Sequence, residues 1–91
     1  MFDERKGFMH WVYIVECSDG TYYTGYTTDV KRRLKEHNDS PKGAKYTRAR
    51  RPVTLCYQAS YETRKEACQR EYQIKKMTRQ QKIDLIMSQS K

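Results

Sequence analysis

The chain opens its patterned part with aromatic and β-branched side chains at residues 8–17, including the uninterrupted apolar run Trp11, Val12, Tyr13, Ile14 and Val15. Ser18, Asp19, Gly20 and Thr21 follow at once, and then Tyr22, Tyr23, Thr24, Gly25 and Tyr26. Two strand-like runs joined through Asp-Gly predict a hairpin, because both residues tolerate the positive φ of a tight primed turn. Such a hairpin brings Tyr13 and Tyr23 near each other across the strands.

The period then changes. Thr27, Thr28 and Asp29 supply capping side chains, and Val30, Leu34 and His37 share one face of a helix over residues 30–37. The cluster Asn38, Asp39, Ser40, Pro41, Lys42 and Gly43 ends it. Residues 38–52 read as a basic loop with one helical turn around 44–48, and residues 53–59 have the composition of a third strand. Thr63 with Glu66 and Thr78 with Gln81 have the spacing of capping boxes, which predicts helices over residues 62–77 and 79–88. The expected fold is α/β of the α+β kind, a small three-stranded antiparallel sheet flanked by helices in the order β-β-α-β-α-α.

Composition narrows the function. Ninety-one residues are expected to form one domain over 1–91, since so short a chain does not build two cores. The formal net charge is +8, and it is concentrated. Residues 31–51 hold nine basic side chains against two acidic ones, a local excess of seven. A localised basic footprint points to a polyanionic partner, nucleic acid first, through Lys31, Arg32, Lys45, Arg48, Arg50 and Arg51. An aromatic content of 12% argues against a disordered polycation. Cys17, Cys56 and Cys68 are an odd, widely spaced set, which disfavours a disulfide framework or structural zinc and suits small buried hydrophobes in a reducing compartment. The charged residues 1–7 and the short apolar run match neither a signal peptide nor a membrane span, so a cytoplasmic protein without membrane association is expected.

Three groups of side chains have chemistry to offer. Glu71 falls on or beside the apolar stripe of its helix, between Ala67 and Ile74, and reads either as a surface carboxylate paired with Lys75 or as a carboxylate that holds Mg²⁺ in a cleft. Arg33 and His37 lie four apart on one helix face; Arg33 offers bidentate donors suited to phosphate, and His37 is suited to a phosphate contact, proton transfer or the helix dipole. Tyr13 and Tyr23 read as sheet cover or as hydroxyls aimed at phosphate. Neither a hydrolase triad motif nor a phosphate-cradling glycine loop is present.

Trp11-Val12-Tyr13, then Tyr23-Thr24-Gly25, then Arg33, His37 and Glu71 on later helices, together resemble the GIY-YIG nuclease superfamily, in particular its small stand-alone bacterial branch, over about residues 9–85. The resemblance implies roles position by position. Tyr13 would line the site, Tyr23 would be the general base toward water, Arg33 would bind the scissile phosphate, and His37 would assist catalysis. Glu71 would hold a single Mg²⁺ or Mn²⁺, and Gly25 would let the backbone turn out of the second strand. Trp11 and Thr24 stand where the family name has Gly and Ile. Tyr26 stands where several members carry a lysine, with Lys45 as its candidate substitute.

The expectation is a metal-dependent endonuclease domain that hydrolyses phosphodiester bonds in DNA, structured or single-stranded, with DNA favoured over RNA. Targeting would come from a protein partner, a homodimer or DNA shape. The alternative is a non-catalytic nucleic-acid-binding module that uses the same basic face.

Overall fold

The computed structural model describes residues 9–89. Phe8, the expected start of the first strand, and the charged residues 1–7 lie outside the described residues. Strands β1 (His10–Glu16) and β2 (Tyr22–Thr27) form the hairpin, followed by helix α1 (Val30–Asp39), the single turn α2 (Lys45–Arg48), strand β3 (Thr54–Tyr61), and helices α3 (Arg64–Lys75) and α4 (Arg79–Gln89). This is the expected element order, with α2 as the helical turn in the basic loop. The sheet runs β2-β1-β3, antiparallel throughout. The most apolar strand takes the centre, where Val12, Tyr13, Ile14 and Val15 are all buried.

Alternation along β1 divides the core. Val12 and Ile14 pack with Tyr57, Ala67 and Ile74 on one face, where Leu85 and Ile86 of α4 close over them. Tyr13 and Val15 face the other way, with Cys17 and Val53 and with Leu34 of α1 packed against them. Ile14 pairs with Tyr57 but Val15 pairs with Leu55, so Cys56 is an extra residue in β3. That bulge resets the alternation and lets Leu55 and Tyr57 serve opposite faces.

The hairpin turn is wider than the tight primed form expected. The Cys17 N–H donates to the Thr21 carbonyl at 2.8 Å and the Gly20 N–H donates to the Cys17 carbonyl at 2.9 Å, enclosing residues 18–20. A three-residue loop of this kind needs one left-handed residue, and Gly20 supplies it with φ +85°. Asp19 instead accepts from the Thr21 N–H at 3.1 Å and from its hydroxyl at 2.6 Å.

The caps explain the helix limits. Asp29 accepts from the Arg32 N–H at 3.1 Å, and Thr63 accepts from the Glu66 N–H at 3.1 Å. Thr78 and Gln81 form the reciprocal box, at 2.9 and 3.2 Å. Helix α1 continues to Asp39, past its expected end at His37, because Arg51 donates to the carbonyls of Glu36, His37 and Ser40. No cysteine is paired; Cys17 is buried, whereas Cys56 and Cys68 are half-exposed, which corrects the expectation that all three are core residues. Among the described residues no helix is long and apolar enough to cross a membrane.

Candidate active site at the hairpin

Tyr13 stands opposite Gly25, and Val15 stands opposite Tyr23. Tyr13 and Tyr23 are therefore diagonal neighbours on one sheet face, within reach for aromatic rings. Gly25 lies inside β2 and does not turn the chain out of it. Its function is steric: a β-carbon there would overlap the Tyr13 phenol, which crosses directly over the glycine.

Helix α1 closes this face. The Tyr13 hydroxyl is 2.7 Å from His37 Nε2, and the positive charge of Arg33 lies near enough to act on it. Burial pushes Tyr13 up to about 12, against the Arg33 hydrogen bond and with the charges of Tyr23 and Glu71 adding to the rise. Tyr13 is thus a neutral phenol at physiological pH, and only 2% exposed. His37 is fully buried, with Nδ1 2.9 Å from the Thr47 hydroxyl. Burial, reinforced by Arg33, pushes His37 down to about 4, so the ring is neutral. With both nitrogens engaged, His37 sits beneath the tyrosines and makes no phosphate contact of its own. Its ring stands edge-on to Tyr23, centroids 5.3 Å apart.

Arg33 is half-buried. Nη1 donates to Glu36 Oε1 and to the Lys42 carbonyl, each at 2.9 Å, so its fork is braced from one end. Tyr23 stacks on Tyr46 at 6.0 Å between centroids. Together with Tyr22, Thr24, Lys75 and Lys82 they line a cleft of about 250 Å³. The buried Thr24 hydroxyl has no hydrogen-bond partner among the described residues.

Glu71 is half-buried on α3, one turn from buried Ala67 and Ile74, and its Oε2 lies 3.2 Å from Lys75 Nζ. The i,i+4 pair and the inward position coexist, since the carboxylate charge also reaches Tyr13. No group of three or more His, Cys, Asp or Glu side chains gathers among the described residues. A single partly open carboxylate fits an ion held chiefly by water and phosphate oxygens, such as Mg²⁺ or Mn²⁺, and does not fit an all-protein cage.

The basic residues divide by use. Lys31 and Arg32 are exposed on α1, Arg32 within 3.7 Å of Glu36. Lys45 and Arg48 are exposed on α2, around a separate hollow with Tyr46, Ala49 and Arg50. Arg50 braces the hairpin turn to α2: its Nε is 3.1 Å from Asp19 Oδ2, its Nη1 donates to the Tyr46 carbonyl at 2.8 Å, and its guanidinium carbon lies 3.9 Å above the Tyr46 ring. Arg51 caps α1. Arg50 and Arg51 were both expected to meet nucleic acid; in the structure their guanidinium groups also bond within the fold. Lys45 is not in the Tyr23 cleft; Lys75 and Lys82 are. Tyr26 points to the α3 face, where its hydroxyl is 2.7 Å from His10 Nδ1.

Residues 9–84 match the GIY-YIG catalytic domain. The chain belongs to the GIY-YIG family. That family is associated with nuclease activity. The chain is 62% identical to the UPF0213 protein of Halobacterium salinarum, over 86% of this chain and all of that protein. It is 60% identical to the UPF0213 protein of Staphylococcus aureus strain Mu3, over 85% and 93% of the two chains. The solution NMR structure of the UPF0213 protein from Bacillus halodurans superposes with TM-score 0.57 at 49% identity, covering 87% of this chain and 83% of that one. The solution NMR structure of a protein from E. faecalis gives 0.61 at 44% identity, covering 88% and 84%. Both superpositions support the fold described above.

Proposed function

We propose that this GIY-YIG domain is a divalent-metal-dependent endonuclease that hydrolyses phosphodiester bonds in DNA, structured or single-stranded. The observation that carries the reading is geometric: on one sheet face the Tyr13 phenol crosses over Gly25 of β2 and its hydroxyl meets His37 of α1 at 2.7 Å, with the Tyr23 ring edge-on to the same imidazole. A phosphodiester is anionic and repels an attacking oxygen nucleophile, so a hydrolytic site needs cations on the phosphate and a base for water.

Arg33 provides the cation. Its planar fork is held by Glu36 and the Lys42 carbonyl, so it meets a phosphate oxygen with little loss of side-chain entropy. Tyr23 faces the cleft and, acting as its phenolate, accepts the proton of the attacking water as the new phosphorus–oxygen bond forms, becoming the neutral phenol. The bond to the departing sugar oxygen breaks, and that oxygen takes its proton from solvent. Lys75 and Lys82 put positive charge on the cleft wall beside Tyr23. Glu71 would hold the Mg²⁺ or Mn²⁺, which when bound supplies further charge neutralisation at the phosphate. Tyr13 and His37, both buried, position Arg33 and Tyr23 and do not touch substrate. Among the basic residues expected to meet nucleic acid, Lys31, Arg32, Lys45 and Arg48 are exposed and available to the DNA backbone.

The Glu71–Lys75 ion pair favours a second reading, a nucleic-acid-binding module without turnover, in which the carboxylate is permanently neutralised. Incubating the protein with forks, flaps, single strands and nicked duplexes, with and without Mn²⁺, separates the two. The nuclease reading expects metal-dependent strand cleavage; salt-sensitive binding without cleavage under any divalent ion establishes the binding module instead.

A further inference from the structure

Helix α4 presents a lysine where its own pattern asks for an apolar residue. Lys82 precedes Leu85 by three positions and Ile86 by four, and those two pack against the buried core of the sheet. Lys82 therefore occupies the inward stripe of α4. It is half-buried there and lines the cleft with Tyr22, Tyr23, Thr24, Tyr46 and Lys75. The one acidic side chain of α4, Asp84, stands two positions further on and hence on the opposite side of the helix, where its Oδ1 accepts from Gln80 Nε2 at 3.0 Å.

The other cations around the cleft are engaged. Lys75 Nζ is 3.2 Å from Glu71 Oε2, and Lys76 Nζ donates to the Tyr72 hydroxyl at 3.3 Å. Arg79 donates to the Gly20 carbonyl at 2.8 Å and lies over the Tyr22 ring. The Lys82 ammonium has no hydrogen bond or ion pair among the described residues. A half-buried ammonium gives up hydration that only an anion or other acceptor restores, and no carboxylate lines this cleft.

We propose that Lys82 binds a backbone phosphate of nucleic acid inside the Tyr23 cleft, and that the strand crosses Tyr46 to reach the cations of α2. Aromatic faces beside an ammonium suit a nucleotide, whose base stacks while its phosphate is paired. Tyr46 is the wall shared by the cleft and the hollow of Lys45, Arg48 and Arg50, so positive charge lies on both sides of one exposed ring. The footprint then extends beyond residues 31–51 onto a helix that a count of charge along the chain does not single out. The choice of nucleic acid as the polyanion rests on the reading of the site given above, but turnover is not required.

Fluorescence anisotropy with a labelled single-stranded oligonucleotide in EDTA, at several salt concentrations, reads binding without cleavage. Lys82→Gln, shown to be folded by circular dichroism, should lose about fivefold to tenfold in affinity and lower the slope of log affinity against log salt by about one. Lys82→Arg should stay near wild type, as should Lys65→Gln in the separate hollow beside Tyr72. The oligonucleotide should also slow acetylation of Lys82 in the wild type, read by mass spectrometry, and this decides if Lys82→Gln does not fold. Unchanged affinity and slope in folded Lys82→Gln overturn the proposal, as does acetylation of Lys82 that the oligonucleotide leaves unslowed. If the wild type binds but cleaves nothing with Mn²⁺, the nuclease reading alone fails and these measurements still judge Lys82.

Discussion

At Gly25 an added methyl group has no place to go except into the Tyr13 phenol, and that ring is held by His37. Gly25→Ala should therefore cost about 1–3 kcal/mol by overpacking, read from the denaturant midpoint, and should displace the Tyr13 hydroxyl from His37. His37 makes a pH prediction whose sign follows from its burial. The unfolded chain takes up a proton on this residue near pH 6.5, whereas the folded protein does so only near about 4. Stability is thus complete above pH 6.5 and falls as the pH drops toward 4, with a slope approaching ~1.4 kcal/mol per pH unit. His37→Gln should flatten that fall between about pH 7 and 5 in urea titrations. Tyr13, Tyr23, Arg33 and Glu71 were legible in the sequence because strand alternation, helix spacing and the family pattern each locate a residue along its own element. Thr47, Tyr46 and the place of Lys75 in the Tyr23 cleft were not, because they arise only where the basic loop and α3 fold back on the hairpin.

Among the elements, the helix caps and the central strand were readable, since capping boxes and an apolar run act locally. The end of α1 was not. It depends on Arg51, twelve residues beyond Asp39, donating to three carbonyls of the last turn. Asn38 adds a second tie, donating to the Val53 carbonyl at 3.1 Å and accepting from the Val53 N–H at 2.7 Å. Arg51→Ala should consequently destabilise the fold by about 2 kcal/mol, seen as a lower melting temperature. Its effect on nucleic-acid binding should be small, while Arg48→Ala should reduce affinity and lower the slope of log affinity against log salt by about one. Salt titrations of both variants on one DNA substrate distinguish a cap from a phosphate contact.

Taken as a whole molecule, the basic segment wraps the open side of the sheet face that carries the tyrosines. Helix α1 brings Arg33 and His37 inward and leaves Lys31 and Arg32 outside; α2 brings Thr47 inward and leaves Lys45 and Arg48 outside. The excess of charge near residues 31–51 thus has two fates, braces within the fold and a surface for a polyanion, which a linear count does not separate. Helix α3 completes the arrangement from the far side with Glu71 and Lys75. The most direct measurement is single-turnover DNA cleavage with Mg²⁺ or Mn²⁺ by the wild type, Tyr23→Phe and Glu71→Gln, each shown to be folded. The wild type should cleave, and each variant should lose at least about a hundredfold in rate while still binding DNA. Cleavage by Glu71→Gln at the wild-type rate would contradict the assignment of this site.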